Sequence, residues 1–144
     1  MSALDERFLI ALHACARGWR QSLDRRLQGS GLSRAGWNAV LAIAQAPQPP
    51  SQTELAQLLG VEGATVVATV DRLVAAGMVE RVPSRTDRRV KLVVATARGR
   101  ELAARIETES AALRRQLLQQ IDTQRMAVAA TVLEQLRQML EETQ

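Results

Sequence analysis

Hydrophobic residues recur every three or four positions along the first part of the chain. The stripe comprises Phe8, Leu12, Ala16, Trp19, Leu23 and Leu27. This spacing predicts a long amphipathic helix, which the glycines at 29 and 31 end. Ser33 is placed to cap a second helix with Trp37, Val40, Leu41 and Ala44 facing inward. The prolines in residues 46–50 then break the helix, because proline lacks a backbone donor.

Two short helical patterns follow. Ser51 and Glu54 have capping-box spacing and predict a helix that begins at Gln52 and ends at Gly60. Its expected inward residues are Leu55, Leu58 and Leu59. Residues 63–76 form the next pattern, with Val66, Val70, Leu73 and Val74 expected to be buried and Gly77 suited to a left-handed helix end. Two short helices joined by a tight turn predict a helix-turn-helix.

The outer face of the second of these helices is small and nearly uncharged. It is predicted to carry Thr65, Ala68, Thr69 and Arg72. Only Glu62 and Gly63 precede the helix as capping candidates, so backbone N–H groups at its start are expected to be free. Such a face can lie close against another molecule.

The hydrophobic period then changes to two. The runs MVERV (78–82) and VKLVV (90–94) flank PSRTDRR and predict a β-hairpin. Thr96 is placed to cap a long helix with Leu102, Ile106, Leu113 and Leu117 inward, and a last helix begins near Asp122. The apolar stripe of the last helix is Met126, Ala129, Leu133, Leu136 and Leu140.

This order of elements predicts a mainly α fold with a small β-hairpin wing, a winged helix-turn-helix flanked by long helices. We assign residues 1–30 to an N-terminal dimerisation helix, 31–98 to the winged helix-turn-helix domain and 99–144 to C-terminal dimerisation helices. The terminal stripes exceed what a 144-residue domain needs for its own core. They either fold back on the chain or pair with a second copy, and a two-fold homodimer is the simplest closed solution.

Composition narrows the function classes. The chain has one His, one Cys and no Tyr, with no cluster at metal-ligand spacing and no glycine-rich phosphate loop. These features disfavour an enzyme and predict neither cofactor nor metal. No apolar stretch approaches the roughly 18 residues of a membrane span. The start, MSALDERF, is acidic where a secretory signal carries cations, which predicts a cytoplasmic protein.

The positive charge is concentrated in one segment. The chain carries a net charge of +4, and residues 81–100 alone hold seven basic residues against Asp87. A local patch of this kind favours a polyanion partner, although a solvated loop is the simpler alternative. In a winged helix the helix of residues 63–76 would enter the major groove of DNA, and the basic hairpin would reach the minor groove.

The residues resemble the MarR family of transcription regulators, most closely its SlyA-like branch. The similarity rests on SQTELAQLLGV, LVAAGMVER and the Asp87-x-Arg89 pair at a fixed distance before Thr96 and Gly99. It implies that Arg89 reads the minor groove, that Asp87 braces it, and that Arg85 and Arg88 lie near phosphates. The full set of candidate DNA-binding residues is Ser51, Gln52, Thr53, Gly63, Ala64, Thr65, Thr69, Arg72, Arg85, Asp87, Arg88, Arg89 and Lys91. The alternative is that Asp87 only neutralises an exposed turn.

The chain departs from its relatives at two positions. Ala68 stands where SlyA-like recognition helices tend to carry Arg, so base preference does not transfer. Ala95 replaces a customary Leu before the capping Thr96, which reduces a packing group.

The resemblance also implies a small aromatic or phenolic acid as an effector. Arg17, Arg20 and Trp37 are the candidate ligand neighbours, cations for a carboxylate and a ring to pack on. The alternative places Trp37 in the core and Arg20 in an ion pair. His13 is predicted to be a structural residue. Cys15 is predicted to be inert, because the tyrosine partners of the family's peroxide-sensing branch are absent here.

The combined prediction is a homodimeric transcription regulator, a repressor or dual regulator, that binds a pseudo-palindromic operator in double-stranded DNA and is released by its effector. Two alternatives remain. One is a non-specific architectural DNA-binding protein without an effector. The other is a helical scaffold or enzyme whose basic hairpin contacts an acidic partner.

Overall fold

The computed structural model describes residues 2–143, which divide into two compact units, the first ending at Ser110 and the second beginning at Ala111. The elements are α1 (Ala3–Arg26), α2 (Arg34–Gln45), α3 (Gln52–Leu59), α4 (Gly63–Ala75), β1 (Val79–Pro83), β2 (Lys91–Ala95), α5 (Ala97–Leu118) and α6 (Thr123–Glu142). The predicted mainly α fold with a β-hairpin wing is confirmed. The assignment of functions to residues 1–30, 31–98 and 99–144 stays a prediction.

Side-chain caps define most helix starts. Ser33 accepts a hydrogen bond from the Gly36 N–H, and Ser51 accepts one from the Glu54 N–H. Asp122 accepts from the Gln124 N–H at the start of α6. These bonds satisfy donors that the first turn of a helix leaves free. The caps predicted at Ser33 and Ser51 are therefore present, and α6 begins beside Asp122 as predicted.

The core of the first unit lies where α2, α3, α4, the hairpin and the first turns of α5 meet. Its largest fully buried side chains are Val40, Leu55, Val66, Val70, Leu73, Val79, Val93 and Ile106. Trp37 is also buried. The sequence patterns placed most of these residues inward.

Leu117 of α5, expected to face inward, is 42% exposed, and two residues of the helix-turn-helix expected in the core are also on the surface. Leu58 is 64% exposed, because α3 buries the side centred on Leu55 and Ala56, and Leu58 points away from it. Val74 is 39% exposed, since the buried stripe of α4 runs through Val66, Thr69, Val70 and Leu73. In both helices the residues that are buried differ from those that the spacing of hydrophobic residues predicted.

Apolar side chains are exposed on the terminal helices. In the first unit these are Leu4, Phe8, Leu9 and Ile10 on α1. Within the second unit, α6 buries none of its residues, and Val128, Val132, Leu133, Met139 and Leu140 are exposed. The stripe predicted for α6 thus remains largely uncovered in the single chain, whereas the stripe predicted for α1 is exposed at Phe8 and buried at Leu23 and Leu27. No helix within residues 2–143 combines the length and apolar character needed to cross a membrane.

The wing is an antiparallel pair of strands with Val79 opposite Ala95 and Arg81 opposite Val93. The Val93 N–H also donates to the Pro50 carbonyl at 2.8 Å, and Ser51 forms an isolated bridge with Leu92. The segment before α3 therefore lies beside β2 and attaches the hairpin to the helix-turn-helix.

A second attachment joins the end of α4 to the start of α5. The Thr96 hydroxyl donates to the Gly77 carbonyl at 2.7 Å, and the Thr96 N–H donates to the Met78 carbonyl at 3.0 Å. Arg98 donates to the Ala76 carbonyl at 3.2 Å. The Thr96 hydroxyl also accepts from the Gly99 N–H, as predicted for a cap. Carbonyls just beyond α4 are thus satisfied by the first residues of α5.

Candidate nucleic-acid interface

The amino end of α4 is uncapped. Gly60 ends α3 in the left-handed conformation (φ 65°), and α4 starts three residues later at Gly63. Glu62 occupies the capping position but makes no side-chain capping bond. Free N–H groups and the helix dipole make such an end suitable for a phosphate oxygen.

The outer face of α4 carries mostly small side chains, with the exposed carboxylate of Asp71 among them. Ala64, Ala68 and Ala75 are exposed along it, with Thr65 and Arg72 to one side. Nearby, Thr53 is exposed, and Ser51 and Gln52 are half-buried at the start of α3. A helix with this slim face can approach the floor of a groove closely.

The tip of the wing holds an arginine in place from its backbone. The Asp87 carboxylate accepts from the Arg89 N–H at 3.0 Å and from Arg89 Nε at 3.3 Å. The Val90 N–H donates to the Asp87 carbonyl, which closes the turn. The Arg89 side chain is 92% exposed. The pairing between Asp87 and an arginine that the resemblance implied is therefore present, and it leaves Arg89 open to a partner.

The seven basic residues of the segment fall into two groups. Arg85, Arg88, Arg89 and Lys91 are exposed around the hairpin tip. The other three donate to protein groups: Arg98 to Ala76, Arg100 to the Ala95 carbonyl, and Arg81 to Asp71 and Gln52. Arg98 and Arg100 stay exposed despite these bonds, so the exposed positive charge runs from the tip to the start of α5, and only Arg81 is half-buried.

A recess of about 390 Å³ lies at the turn between α1 and α2. Trp37, Asp24 and Arg34 line it together with residues of the 27–33 segment. Arg34 donates to the Asp24 carboxylate from Nε at 3.2 Å and also from Nη2. Trp37 is only 6% exposed, so its ring belongs to the core and to the recess wall.

The other two candidate ligand residues do not line this recess. Arg17 and Arg20 are exposed on α1. The hydrogen-bonded Arg34 holds the pKa of Asp24 below its usual value against a smaller opposing effect of burial, and the charge of Arg20 acts in the same direction as Arg34. Arg20 therefore lies close enough to influence the recess electrostatically without forming its wall.

The comparisons with known proteins agree with this geometry. The profile described as MarR family matches residues 30–90. The crystal structure of the transcriptional regulator PA3341 is 39% identical, covers 94% of this chain and 98% of its own, and superposes with a TM-score of 0.81. The chain belongs to the MarR family. It is accordingly a DNA-binding transcription regulator, in a family that is not an enzyme family.

Two more distant structures share the MarR fold. Streptococcus pneumoniae FabT, solved in complex with DNA, is 24% identical, with coverage of 96% of this chain and 99% of FabT and a TM-score of 0.84. Staphylococcus aureus MarR, solved with salicylate and kanamycin, is 20% identical, with coverage of 96% and 93% and a TM-score of 0.85. At these identities the likeness establishes the fold alone.

One residue predicted on the MarR recognition face is buried. Thr69 is 5% exposed, because it follows Val66 by one helical turn and packs with Val70 and Leu73. The helical spacing from Thr65 and Ala68 predicted Thr69 on the outer face, but the buried stripe of α4 is wide enough to include it. Thr65, one turn earlier, is exposed and is the hydroxyl on the accessible side of α4.

Two ion pairs in this MarR-family chain were not predicted from the sequence. Arg81 pairs with Asp71, and Arg34 pairs with Asp24, each across ten residues. Ten residues match no helical or strand neighbour rule, so only the fold brings these partners together. Cys15 is exposed. Within residues 2–143 no group of three His, Cys, Asp or Glu side chains is arranged to hold a metal ion.

The Asp24–Arg34 pair is expected to stabilise the fold at neutral pH and to lose this contribution in acid. Since the pKa of Asp24 is lowered in the folded chain, its contribution is complete above the unfolded value of about 3.9 and is lost as pH falls through the folded value. We expect the difference in melting temperature between the wild type and Asp24→Asn to be largest near pH 6 and to shrink toward pH 2–3. A difference that stays constant across this range would contradict the assignment.

Proposed function

We propose that this regulator is a sequence-specific repressor of the SlyA-like branch, acting as a homodimer on a pseudo-palindromic operator. A small aromatic or phenolic acid releases it from DNA. The observation that carries the proposal is the wing tip, where Asp87 holds Arg89 from the backbone and leaves its guanidinium exposed. An exposed ion pair contributes only ~0–1 kcal/mol to folding, so stability alone explains this arrangement poorly.

The proposed complex uses two grooves. The face of α4 enters the major groove, which is ~12 Å wide, and Thr65 and Arg72 provide side-chain contacts there. Free N–H groups at Gly63 and Ala64, with Ser51, Gln52 and Thr53, contact phosphates. Arg89 enters the minor groove, where a narrow A·T-rich segment favours arginine. The exposed cations Arg85, Arg88 and Lys91 lie close to the backbone phosphates.

Homodimer formation is supported by the exposed apolar residues of α1 and of α6. Large side chains such as Phe8 and Ile10 on α1, and Leu133 and Leu140 on α6, are between 38% and 63% exposed in the single chain. Apolar helical stripes of this kind are typically covered by another helix. A second copy related by two-fold symmetry would cover these stripes on both copies at once. Such a dimer would bind a DNA site of matching two-fold symmetry.

The effector proposal is supported by the recess beside Trp37. It offers an aromatic wall and a nearby cation, Arg34, and Arg20 adds positive charge at the Asp24 carboxylate. Arg17, one helical turn before Arg20, is the other candidate cation. The S. aureus MarR neighbour was solved with salicylate, an aromatic acid. A carboxylate ligand would compete with Asp24 for the guanidinium groups and would shift the dimer between DNA-fitting and non-fitting states.

Selection of bound duplexes from a random pool tests the DNA proposal. We expect enrichment of a near-palindrome whose half-sites lie about 34–36 Å apart, as two equivalent recognition helices require. Light scattering on the same sample should give the mass of a dimer. Comparable affinity for all duplexes at fixed salt would instead indicate a non-specific architectural DNA-binding protein.

Tryptophan fluorescence tests the effector proposal. The chain has two tryptophans, so Trp19→Phe leaves Trp37 as the only reporter. We expect salicylate to change the Trp37 emission saturably and to release the selected operator over the same concentration range. Arg20→Ala should weaken both effects. Operator release without any change at Trp37 would move the effector to another site.

A further inference from the structure

The wing strands carry two basic residues, of which Lys91 is exposed and Arg81 is half-buried. Arg81 belongs to β1, and its side chain is 27% exposed. Nη2 donates to Asp71 Oδ1 at 2.6 Å, and Nε donates to Gln52 Oε1 at 2.9 Å. Asp71 belongs to α4, and Gln52 is the first residue of α3. One guanidinium therefore joins the wing to both helices of the helix-turn-helix.

The chemistry of this contact requires arginine. The planar guanidinium presents donors in fixed, diverging directions, and here Nε and Nη2 reach acceptors on two different helices. The bond to Asp71 is charge-assisted, which makes it stronger than a neutral bond. A lysine ammonium carries the same charge but lacks the rigid fork, so it does not fix two partners in one plane.

The place of Arg81 in the hairpin strengthens the attachment. Arg81 stands opposite Val93 in the strand register, and the Val93 N–H donates to the Pro50 carbonyl. The residue pair Arg81 and Val93 is thus hydrogen-bonded to the helix-turn-helix segment from both strands. The Arg81 side chain makes the bonds on β1, and the Val93 backbone makes the bond on β2. Residues beyond this pair carry the exposed cations of the tip.

We infer that Arg81 is a positioning residue for DNA binding, which sets the placement of the wing relative to α3 and α4 through Asp71 and Gln52. The inference rests on the proposed function, because it matters only if the wing and α4 engage DNA together. With this clamp in place, the wing tip and the recognition helix meet adjacent grooves in a fixed relation. Without it, the wing must be ordered at the moment of binding, which reduces affinity.

The competing explanation is that Arg81 contacts a phosphate, as its place in the basic segment suggests. The two explanations predict opposite signs for Asp71. If Arg81 contacts phosphate, Asp71 competes for its charge and repels DNA, so Asp71→Ala strengthens binding. If Arg81 positions the wing, Asp71→Ala removes the main acceptor and weakens binding, although a negative charge has been removed.

The experiment measures affinity for the selected operator across a range of salt, with the full-length chain carrying Arg81→Gln, Arg81→Lys, Asp71→Ala or both Arg81→Gln and Asp71→Ala. We expect Arg81→Gln and Asp71→Ala each to weaken binding about ten-fold, as loss of one charge-assisted bond implies. The double variant should bind no more weakly than Arg81→Gln alone, because both changes break the same contact. Arg81→Lys should resemble Arg81→Gln, and the slope of log affinity against log salt should match the wild type.

Three results would overturn the inference: tighter binding by Asp71→Ala, near-wild-type binding by Arg81→Lys, or a salt slope for Arg81→Gln reduced by about 0.9, the value of one lost phosphate contact. Asp71 is an exposed position of α4, so Asp71→Ala keeps the test available if Arg81→Gln does not fold. Failure of the proposed function is distinguishable, because the wild type itself would then show no preference for one duplex over another.

Discussion

Gly99→Ala is expected to lower the free energy of unfolding by roughly 1–3 kcal/mol or more, the range for forced overpacking in a core. A Cβ atom at position 99 would lie 2.0 Å from the Met78 carbonyl oxygen. That carbonyl already accepts the Thr96 N–H at 3.0 Å, so it cannot rotate away without breaking the attachment between α4 and α5. The melting temperature should therefore fall by several degrees.

Gly63→Ala is the matched control for this measurement. Gly63 also lies in the first turn of a helix, and a Cβ atom there meets nothing within 4 Å. We expect its stability to stay within about 0.5 kcal/mol of the wild type, as for an ordinary surface change. Equal melting temperatures for Gly99→Ala and Gly63→Ala would contradict this prediction. They would show that the Met78 carbonyl can move away from a Cβ atom at position 99 without loss of stability.

Arg89→Ala is expected to reduce operator affinity by about ten-fold or more while leaving folding and dimer mass unchanged. The residue is 92% exposed and its ion pair with Asp87 is at the surface, so little stability is lost. A base-edge contact typically carries about 1–3 kcal/mol of discrimination, and here it should be lost at A·T-rich flanking positions. Binding curves on operators with A·T-rich and G·C-rich flanks measure this directly.

Arg88→Ala is the appropriate comparison, since Arg88 is exposed beside Arg89 and carries the same charge. A phosphate contact predicts uniform weakening on both operators and a salt slope smaller by about one. If Arg89→Ala behaves in the same way as Arg88→Ala, Arg89 acts as a phosphate contact and the minor-groove assignment is wrong. Unchanged binding for both variants would remove the wing tip from the interface.

The elements of the fold were predictable because they depend on local signals. The change of hydrophobic period after Gly77 located the hairpin, and Ser33, Ser51 and Asp122 located helix starts through bonds to residues two or three positions away. Such signals are written into neighbouring residues and need no knowledge of the rest of the chain.

The errors arose where tertiary packing overrides residue type. Thr69 is polar but fills an inward position, whereas Leu58 is apolar and points away from the side of α3 that buries Leu55 and Ala56. The Arg81 clamp was also not predictable, because its partners Asp71 and Gln52 are brought near only by the fold. Charge counting placed Arg81 with the tip cations, although its guanidinium is engaged by the protein.

The hydrogen bonds from Thr96 to Gly77 and Met78 hold the two ends of the hairpin together where it joins the helices. Because the ends of the hairpin are fixed, its tip can change length at little entropic cost. Doubling the length of a flexible loop costs only about 0.6 kcal/mol. Variation confined to residues 84–90 leaves the pair of Arg81 and Val93 and the start of α5 untouched. The tip that carries Asp87 and Arg89 is therefore structurally independent of the core in its length and its residues.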